Sequence, residues 1–343
     1  MKILVVGSGA GNSLESSYIN SLQSLGIDVS RYISGQEINR KLSASFLHKA
    51  KFRLSPKQYY DPENKAVLEH CSNIKPDIIL IFKGMEFYPD TIQELKSYCR
   101  VLANYNPDHP LDGYSRGAWN TNVYESIPFF DIHFSYAQNI SKRLKKEKQV
   151  TAYTIPFGFN ANLVDLSKKS AEFAPYYIFI GMADKPRASF FSKVAVDNFS
   201  IYGNKKWISY FGYYKGIRKA FKGKGFYSSQ YFVVHRSAKG SINYLREQNF
   251  VEGSHNMRTF EVPGCGGVLI SQRTEEQLSF FEEDKEAVYF SSSEELNDKL
   301  RFYNDHPSAL EKIRENGIRR SSESGYSYVS RAKSMINHLK DHL

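Results

Sequence analysis

The residues best suited to chemistry in this sequence sit in one stretch, NMRTFEVPGCGGVLIS, which runs from Asn256 to Ser271. It carries an acid, Glu261, on a short helix-compatible run, then a glycine turn at Gly266 and Gly267, then an apolar strand-like segment at 268–270. That is an αβ unit with polar groups at one end. In a parallel sheet, a helix start beside the carboxyl ends of strands suits an anion, because free backbone N–H groups and the helix dipole both favour negative charge. A nucleoside diphosphate has the chemistry for such a place. Pro263 is tolerated only early in a helix, which puts the helix start near Arg258 or Thr259.

The elements around that stretch alternate. Residues 2–6 read as a buried parallel strand, followed by the turn GSGAGN and an amphipathic run at 14–25. This is the opening of a Rossmann-like unit, with Gly7, Gly9 and Gly11 in its turn. The dinucleotide fingerprint is incomplete, since Asn12 stands where the third glycine belongs and Asp28 precedes the second strand (29–33) instead of ending it. These departures disfavour a nicotinamide oxidoreductase. Further strands are expected at 78–82, 101–105, 130–136 and 152–155, with helices at 89–99 and 140–148. A second alternation follows: strands at 176–181, 199–202, 268–270 and 287–290, and helices at 188–198, from Ser293, at 307–316 and at 328–343. The apolar pattern lapses at 161–175, which reads as an interdomain linker. Alternating strands and helices imply parallel sheets covered on both faces.

Composition bounds the function classes. A chain of 343 residues, 41% hydrophobic, is long enough for two domains of ordinary size. Three scattered cysteines, Cys71, Cys99 and Cys265, with no CxxC pair, argue against a disulfide framework or thiolate zinc site and fit a reducing cytoplasm. The first residues carry too short an apolar run for a signal-peptide core, and no stretch approaches a membrane span. The formal charge of +10 is concentrated: residues 198–246 hold ten Lys or Arg and no acid. Interleaved with Trp207, Tyr210, Phe211, Tyr213, Tyr214, Phe221 and Phe226, that region is a candidate for phosphates, an anionic membrane surface or nucleic acid, against the alternative of a solvated rim over core aromatics.

The run of motifs from FIG and Arg187 (179–187), through SIYGNKKW and NMRTFEVPGCGGVLIS, to AVYFSSSEELNDKLRFYNDHP, ENGIRR and YSYVSRA, resembles the group 1 glycosyltransferases of the GT-B fold. Within them it is similar to the branch related to the CgeB spore-maturation protein. The resemblance covers residues 176–332. It implies two tandem Rossmann-like αβα domains facing across a cleft: an acceptor-side domain at 1–165, a donor-nucleotide domain at 175–327, and a final helix at 328–343 packing back toward the first. It also implies an enzyme that takes a nucleotide-sugar donor and a glycan or lipid-linked acceptor; the composition adds the expectation of a soluble, cytoplasmic chain, and the basic stretch 198–246 that of a peripheral place at the inner face of the plasma membrane. No metal or cofactor is required.

Carried over position by position, the resemblance puts Glu261 on the donor ribose hydroxyls, with Gly181, Asn256, Arg258 and Phe260 also in the donor site. Either Arg187 or Lys185 is the cation for the diphosphate, where leaving-group charge develops. The first of the family's two glutamates would fall at Gly253, with Glu252 one place off, which leaves open how the sugar is held and whether its configuration is retained. On the acceptor side, Asp108 and His109 end a strand; His109 is a candidate base or hydroxyl orienter, or a plain turn residue. His133 reads as a core histidine, and His235 and Arg236 as remote candidates for the diphosphate. The alternative function is a non-catalytic or nucleic-acid-binding module working through residues 198–246.

Overall fold

The computed structural model describes residues 1–9, 13–113, 118–253 and 255–343, apart from the side chains of 248, 251 and 252. The chain forms two compact units, one of Met1–Pro156 with Tyr328–Leu343 and one of Phe157–Ser327.

The first unit holds six parallel strands: β1 (Lys2–Gly7), β2 (Asp28–Ile33), β3 (Ile78–Phe82), β4 (Val101–Asn106), β5 (Ile132–Ser135) and β6 (Ala152–Thr154). Their order is β2-β1-β3-β4-β5-β6. β3 (IILIF) and β4 are buried along their whole length, as a sheet covered on both faces requires. The helix Tyr328–Lys340 joins this unit by burying Tyr328, Ala332, Met335, Ile336 and Leu339, which share one helical face. Tyr328 packs at 5.5 Å from the Tyr18 ring. Each fully buried Met, Ile or Leu of that face contributes about 1.5–3 kcal/mol.

The second unit repeats the plan: β7 (Tyr177–Ile180), β8 (Phe199–Tyr202), β9 (Phe221–Gly223), β10 (Gly240–Asn243), β11 (Leu269–Gln272) and β12 (Val288–Phe290), in the order β12-β11-β10-β7-β8-β9 and all parallel. The chain therefore winds one way from β7 and the other way from β10. The carboxyl ends of these two neighbouring strands form a topological switch point, where open sheets collect ligands. Close approach of backbone fixes one corner of it. A Cβ on Gly203 would stand 2.1 Å from the Gly181 carbonyl oxygen, which already accepts the Trp207 Nε1 hydrogen at 2.9 Å. Gly203→Ala must push β7 and β8 apart at their carboxyl ends. A loss of about 1–3 kcal/mol is expected, read as a lower urea midpoint at unchanged slope.

Several expectations shift. The helix placed at 188–198 is instead Lys185–Phe191. Asn297 stops it, donating Nδ2 to Lys193 O and accepting Ala195 N–H, and so holds that backbone outside the helix. Residues 34–75, unassigned from sequence, hold the helices Gln36–Ala44, Phe46–Leu54 and Lys57–Ile74. The aromatic residues of 198–246 are largely core: Trp207 is fully buried, Tyr210, Phe211, Tyr214 and Phe221 pack against the same cluster, and Phe226 against another. Only Tyr213 of the seven is exposed, at 83%. Most of the cationic side chains are exposed, with Arg236 and Lys239 half-buried, so the stretch is a charged rim over a core rather than a basic-aromatic binding face.

Candidate functional site

The stretch 256–261 meets the switch point of the second unit through the helix Arg258–Gly264, which begins where Pro263 requires. Arg258 Nη2 donates to Ile180 O at the end of β7, 2.6 Å away. Asn256 Nδ2 donates to Asn243 Oδ1, 2.9 Å away at the end of β10. Asn256 Oδ1 is buried and has no partner among the described residues. A ligand hydroxyl or N–H, or a water, is what such an orphan acceptor calls for.

Arg187 reaches the same place from the other side. Its guanidinium donates to Met182 O at 3.2 Å and Tyr244 O at 3.0 Å, so it ties together the loops that follow β7 and β10. Arg187 and Arg258 lie 5.3 and 5.6 Å from the centroid of the buried Phe179 ring. Arg246 adds a third guanidinium, 3.8 Å from Asp184 Oδ2, and Arg187 lies 3.5 Å from that same oxygen. Burial, and then the nearby Arg258 charge, push the Arg187 pKa down to about 9. Arg187 and Arg246 thus share the Asp184 carboxylate, Arg258 is near enough to Arg187 to disfavour its charge, and exposed Lys185 stands beside them at the start of its helix. Uncompensated cations at a water-poor strand end favour an anionic ligand.

Glu261 stands one helical turn after Arg258 and accepts the Tyr231 hydroxyl at 2.9 Å. Burial raises its pKa to about 7, against the lowering influence of that hydrogen bond and of Arg258. Its ionised form is therefore held in reserve for partners that donate to it.

The structure brings together Gly181, Arg187, Asn256, Arg258 and Glu261, with Lys185 at the rim. Phe260 requires correction. It is fully buried among Phe280, Tyr326 and His255, with ring centroids 4.8–5.6 Å away, and offers no surface to a ligand. Arg187 also changes role: at 4% exposure, with both Nη groups on carbonyls, it positions the loops, while Lys185 and Arg246 are the exposed cations and Arg258 is half-buried between them and the strand ends. His235 is buried, bonded to Ser241 Oγ at 2.7 Å, with burial pushing its pKa down to about 3. Arg236 Nη1 donates to Cys265 O, so neither residue joins the cluster. Gly253 ends the helix Glu247–Glu252, and the Glu252 side chain lies outside the described residues. Asn243, Arg246 and Tyr231 were missed from sequence. The polar tail of the SINYLR segment was the available signal for the first two.

In the first unit, Asp108 pairs with Lys83 at 2.7 Å beyond the ends of β3 and β4. His109 is 4% exposed: Nδ1 accepts Asp112 N–H at 3.0 Å and Nε2 lies 3.2 Å from Arg143 Nη1, while burial lowers its pKa. It braces the loop and does not present a nitrogen to substrate, which corrects its candidacy as a base. His133 is a core residue, bonded through Nε2 to Ile127 O at 2.8 Å, with burial holding its pKa at about 4. Gly7 and Gly9 serve a tight turn: Gly9 has φ +69°, and a Cβ there would meet Ile33 at 2.6 Å. Gly11 lies outside the described residues. Among the described residues no group of three or more His, Cys, Asp or Glu could hold a metal ion, and no helix is long and apolar enough to cross a membrane.

Residues 187–337 match the protein family described as glycosyl transferase-like. No curated protein matches the sequence. Among solved structures, the chain is similar to the sucrose-phosphate synthase of Thermosynechococcus elongatus, with TM-score 0.69, 12% identity, and 99% of this chain and 98% of that one covered. It is also similar to Anabaena HepE in complex with UDP-glucose, with TM-score 0.66, 12% identity, and 99% and 100% covered. A UDP-N-acetylglucosamine 2-epimerase shares the fold with TM-score 0.60, 12% identity, and 100% and 96% covered. The fold is thus the α/β GT-B fold of two parallel six-stranded sheets with flanking helices.

Proposed function

We propose that this chain, which pairs a glycosyl transferase-like segment with the GT-B fold, moves a sugar from a nucleotide-diphosphate donor to an acceptor hydroxyl. The observation that carries this reading is the charge at the β7/β10 switch point, where Arg187 and Arg246 share Asp184, and Arg258 has beside it Glu261, a carboxyl whose pKa burial raises to about 7. A sugar nucleotide brings two phosphate charges to that surplus. In this reading Arg258 and Lys185 meet the phosphates, Arg187 fixes the loops beneath them, Glu261 accepts the ribose hydroxyls, and the orphan Asn256 Oδ1 accepts from the donor. The bond from the anomeric carbon to the diphosphate oxygen breaks, with its electron pair leaving on the nucleoside diphosphate. The acceptor oxygen bonds to the anomeric carbon, and its proton passes to the departing phosphate. Fixed cations stabilise the charge that grows on that phosphate, which lowers the barrier as well as the dissociation constant.

Finer points are part of the same proposal. The NxRxFE…CGG element supports membership of the group 1 enzymes and their CgeB-like branch, and with it retention of configuration and independence of metal. The Anabaena structure holds UDP-glucose, which makes a uridine nucleotide the first donor to try. Asp108, fixed by Lys83, is the residue proposed to orient the acceptor hydroxyl, within surface polysaccharide, lipopolysaccharide or other glycan synthesis.

A screen of UDP-, GDP-, ADP- and CMP-sugars for turnover, with product configuration read by NMR, tests the reading. Release of nucleoside diphosphate with a sugar transferred to water or a glycan supports it. Isomerisation of the donor sugar with no release would instead make the chain an epimerase. Donor affinity should also depend on pH. The ribose hydroxyls donate to the ionised carboxylate, and Glu261 is protonated below about 7. The dissociation constant for UDP-glucose, whose diphosphate keeps its charge in this range, should rise about tenfold per pH unit below that value and level off above it. A flat profile between about pH 5.5 and 8 would remove Glu261 from the donor contact.

A further inference from the structure

The helix Phe46–Leu54 of the first unit has no buried residue. Phe46, Leu47 and Leu54 are 78%, 70% and 87% exposed. On a helix of 3.6 residues per turn, Phe46, Ala50 and Leu54 rise along one face with Leu47 beside them. The opposite face anchors the helix: His48 Nδ1 lies 2.8 Å from the Tyr59 hydroxyl, and the Phe52 ring lies 5.4 Å from the Tyr59 ring. The apolar stripe is therefore turned outward by the packing of its own back. Exposed Lys49 and Arg53 flank it on one side and Lys51 on the other. From Ile38 to Lys57 the chain carries six Lys or Arg (Arg40, Lys41, Lys49, Lys51, Arg53 and Lys57) and no Asp or Glu. The nearest acid, Glu37, is held by Arg40 and Lys41.

An apolar stripe bordered by cations is the pattern of a helix lying in a membrane interface, where apolar side chains enter the acyl boundary and cations meet the headgroups. We propose that the Phe46–Leu54 helix docks the chain on an anionic lipid surface. Charge complementarity selects that occupant, because the cations border the stripe on both sides with no acid among them. Three apolar side chains on a short helix give only weak attachment, and the flanking cations supply the second signal that stable attachment needs. The sequence pointed to residues 198–246 for this role, but the aromatic residues there are mostly core, leaving Ile208, Tyr213 and Tyr227 as the exposed large apolar groups. This inference does not depend on the donor site, and its test uses vesicles where that one uses nucleotides.

The full chain is floated with phosphatidylcholine vesicles, with and without phosphatidylglycerol, at low and high salt. Binding is expected only with the anionic lipid, and is expected to weaken with salt. The variant Phe46→Ser, Leu47→Ser, Leu54→Ser should lose about tenfold or more in partition, as should Lys49→Glu, Lys51→Glu, Arg53→Glu. Ile208→Ser with Tyr213→Ser should float like the unaltered chain, and all three variants should keep the thermal midpoint and nucleotide-sugar binding of the unaltered chain. The proposal is overturned if the unaltered chain does not float with anionic vesicles, or if the helix variants float undiminished. It is equally overturned if the 208/213 variant is the one that loses binding. Capture by polyglutamate without vesicle binding would overturn it in favour of an acidic protein partner.

Discussion

Arg258→Ala is expected to lower kcat/KM for the donor by about 10²–10³-fold. The guanidinium has one Nη on Ile180 O, and its other Nη carries no hydrogen bond among the described residues, so it is both fixed and free to meet a phosphate oxygen. A cation held at the carboxyl end of β7 acts on the leaving diphosphate as its charge develops, so kcat should fall along with affinity. Arg258→Lys should recover little, because a lysine cannot both cap Ile180 O and reach the phosphate through a planar fork. Stability should change far less, by about 0.5–1.5 kcal/mol for the lost hydrogen bond, as measured by urea unfolding. Equal turnover in Arg258→Ala and the unaltered chain would remove the arginine from the site.

Glu261→Ala carries the second large effect, an expected loss of about 10–100-fold in donor affinity, since two hydrogen bonds to an ionised acceptor disappear. Its stability signature runs the other way. The folded-state pKa of about 7 is raised above the ordinary 4.5, so the folded chain is penalised wherever Glu261 is ionised. As pH falls from about 7 to 4.5 the folded state takes up the proton first and gains stability. Glu261→Gln, which keeps an acceptor for Tyr231, should therefore be more stable than the unaltered chain at about pH 8 and lose that advantage by about pH 4.5. A carboxylate with a purely structural role would show the reverse, with Glu261→Gln destabilised at high pH. Urea midpoints at the two pH values separate the cases.

Much of this site was legible because local rules act locally. Apolar runs closed by Gly, Pro or polar residues marked most of the twelve strands, and Pro263 fixed the start of the Arg258–Gly264 helix. What could not be read was which strand ends meet. Arg246 joins Arg187 and Arg258 only because β10 lies beside β7, and that adjacency belongs to the strand order. Arg187 shows the same limit from inside the site. Its position was found, but its direction depends on the Met182 and Tyr244 carbonyls, which turn the side chain inward. Phe260 sat in a motif with polar neighbours, yet one helical position decides between ligand and core, and it faces Phe280 and Tyr326. The Phe46–Leu54 helix escaped because periodicity reports a core-facing stripe and this helix buries none of its residues.

The most direct test of the central claim, a nucleotide-sugar site at the β7/β10 switch point, is a calorimetric titration of the full chain with UDP-, GDP-, ADP- and CMP-sugars. The account predicts saturable binding of one of them at one site per chain, weakened by about 10-fold or more in both Arg258→Ala and Glu261→Ala. Binding of none of these donors, or binding undiminished in both variants, would contradict it.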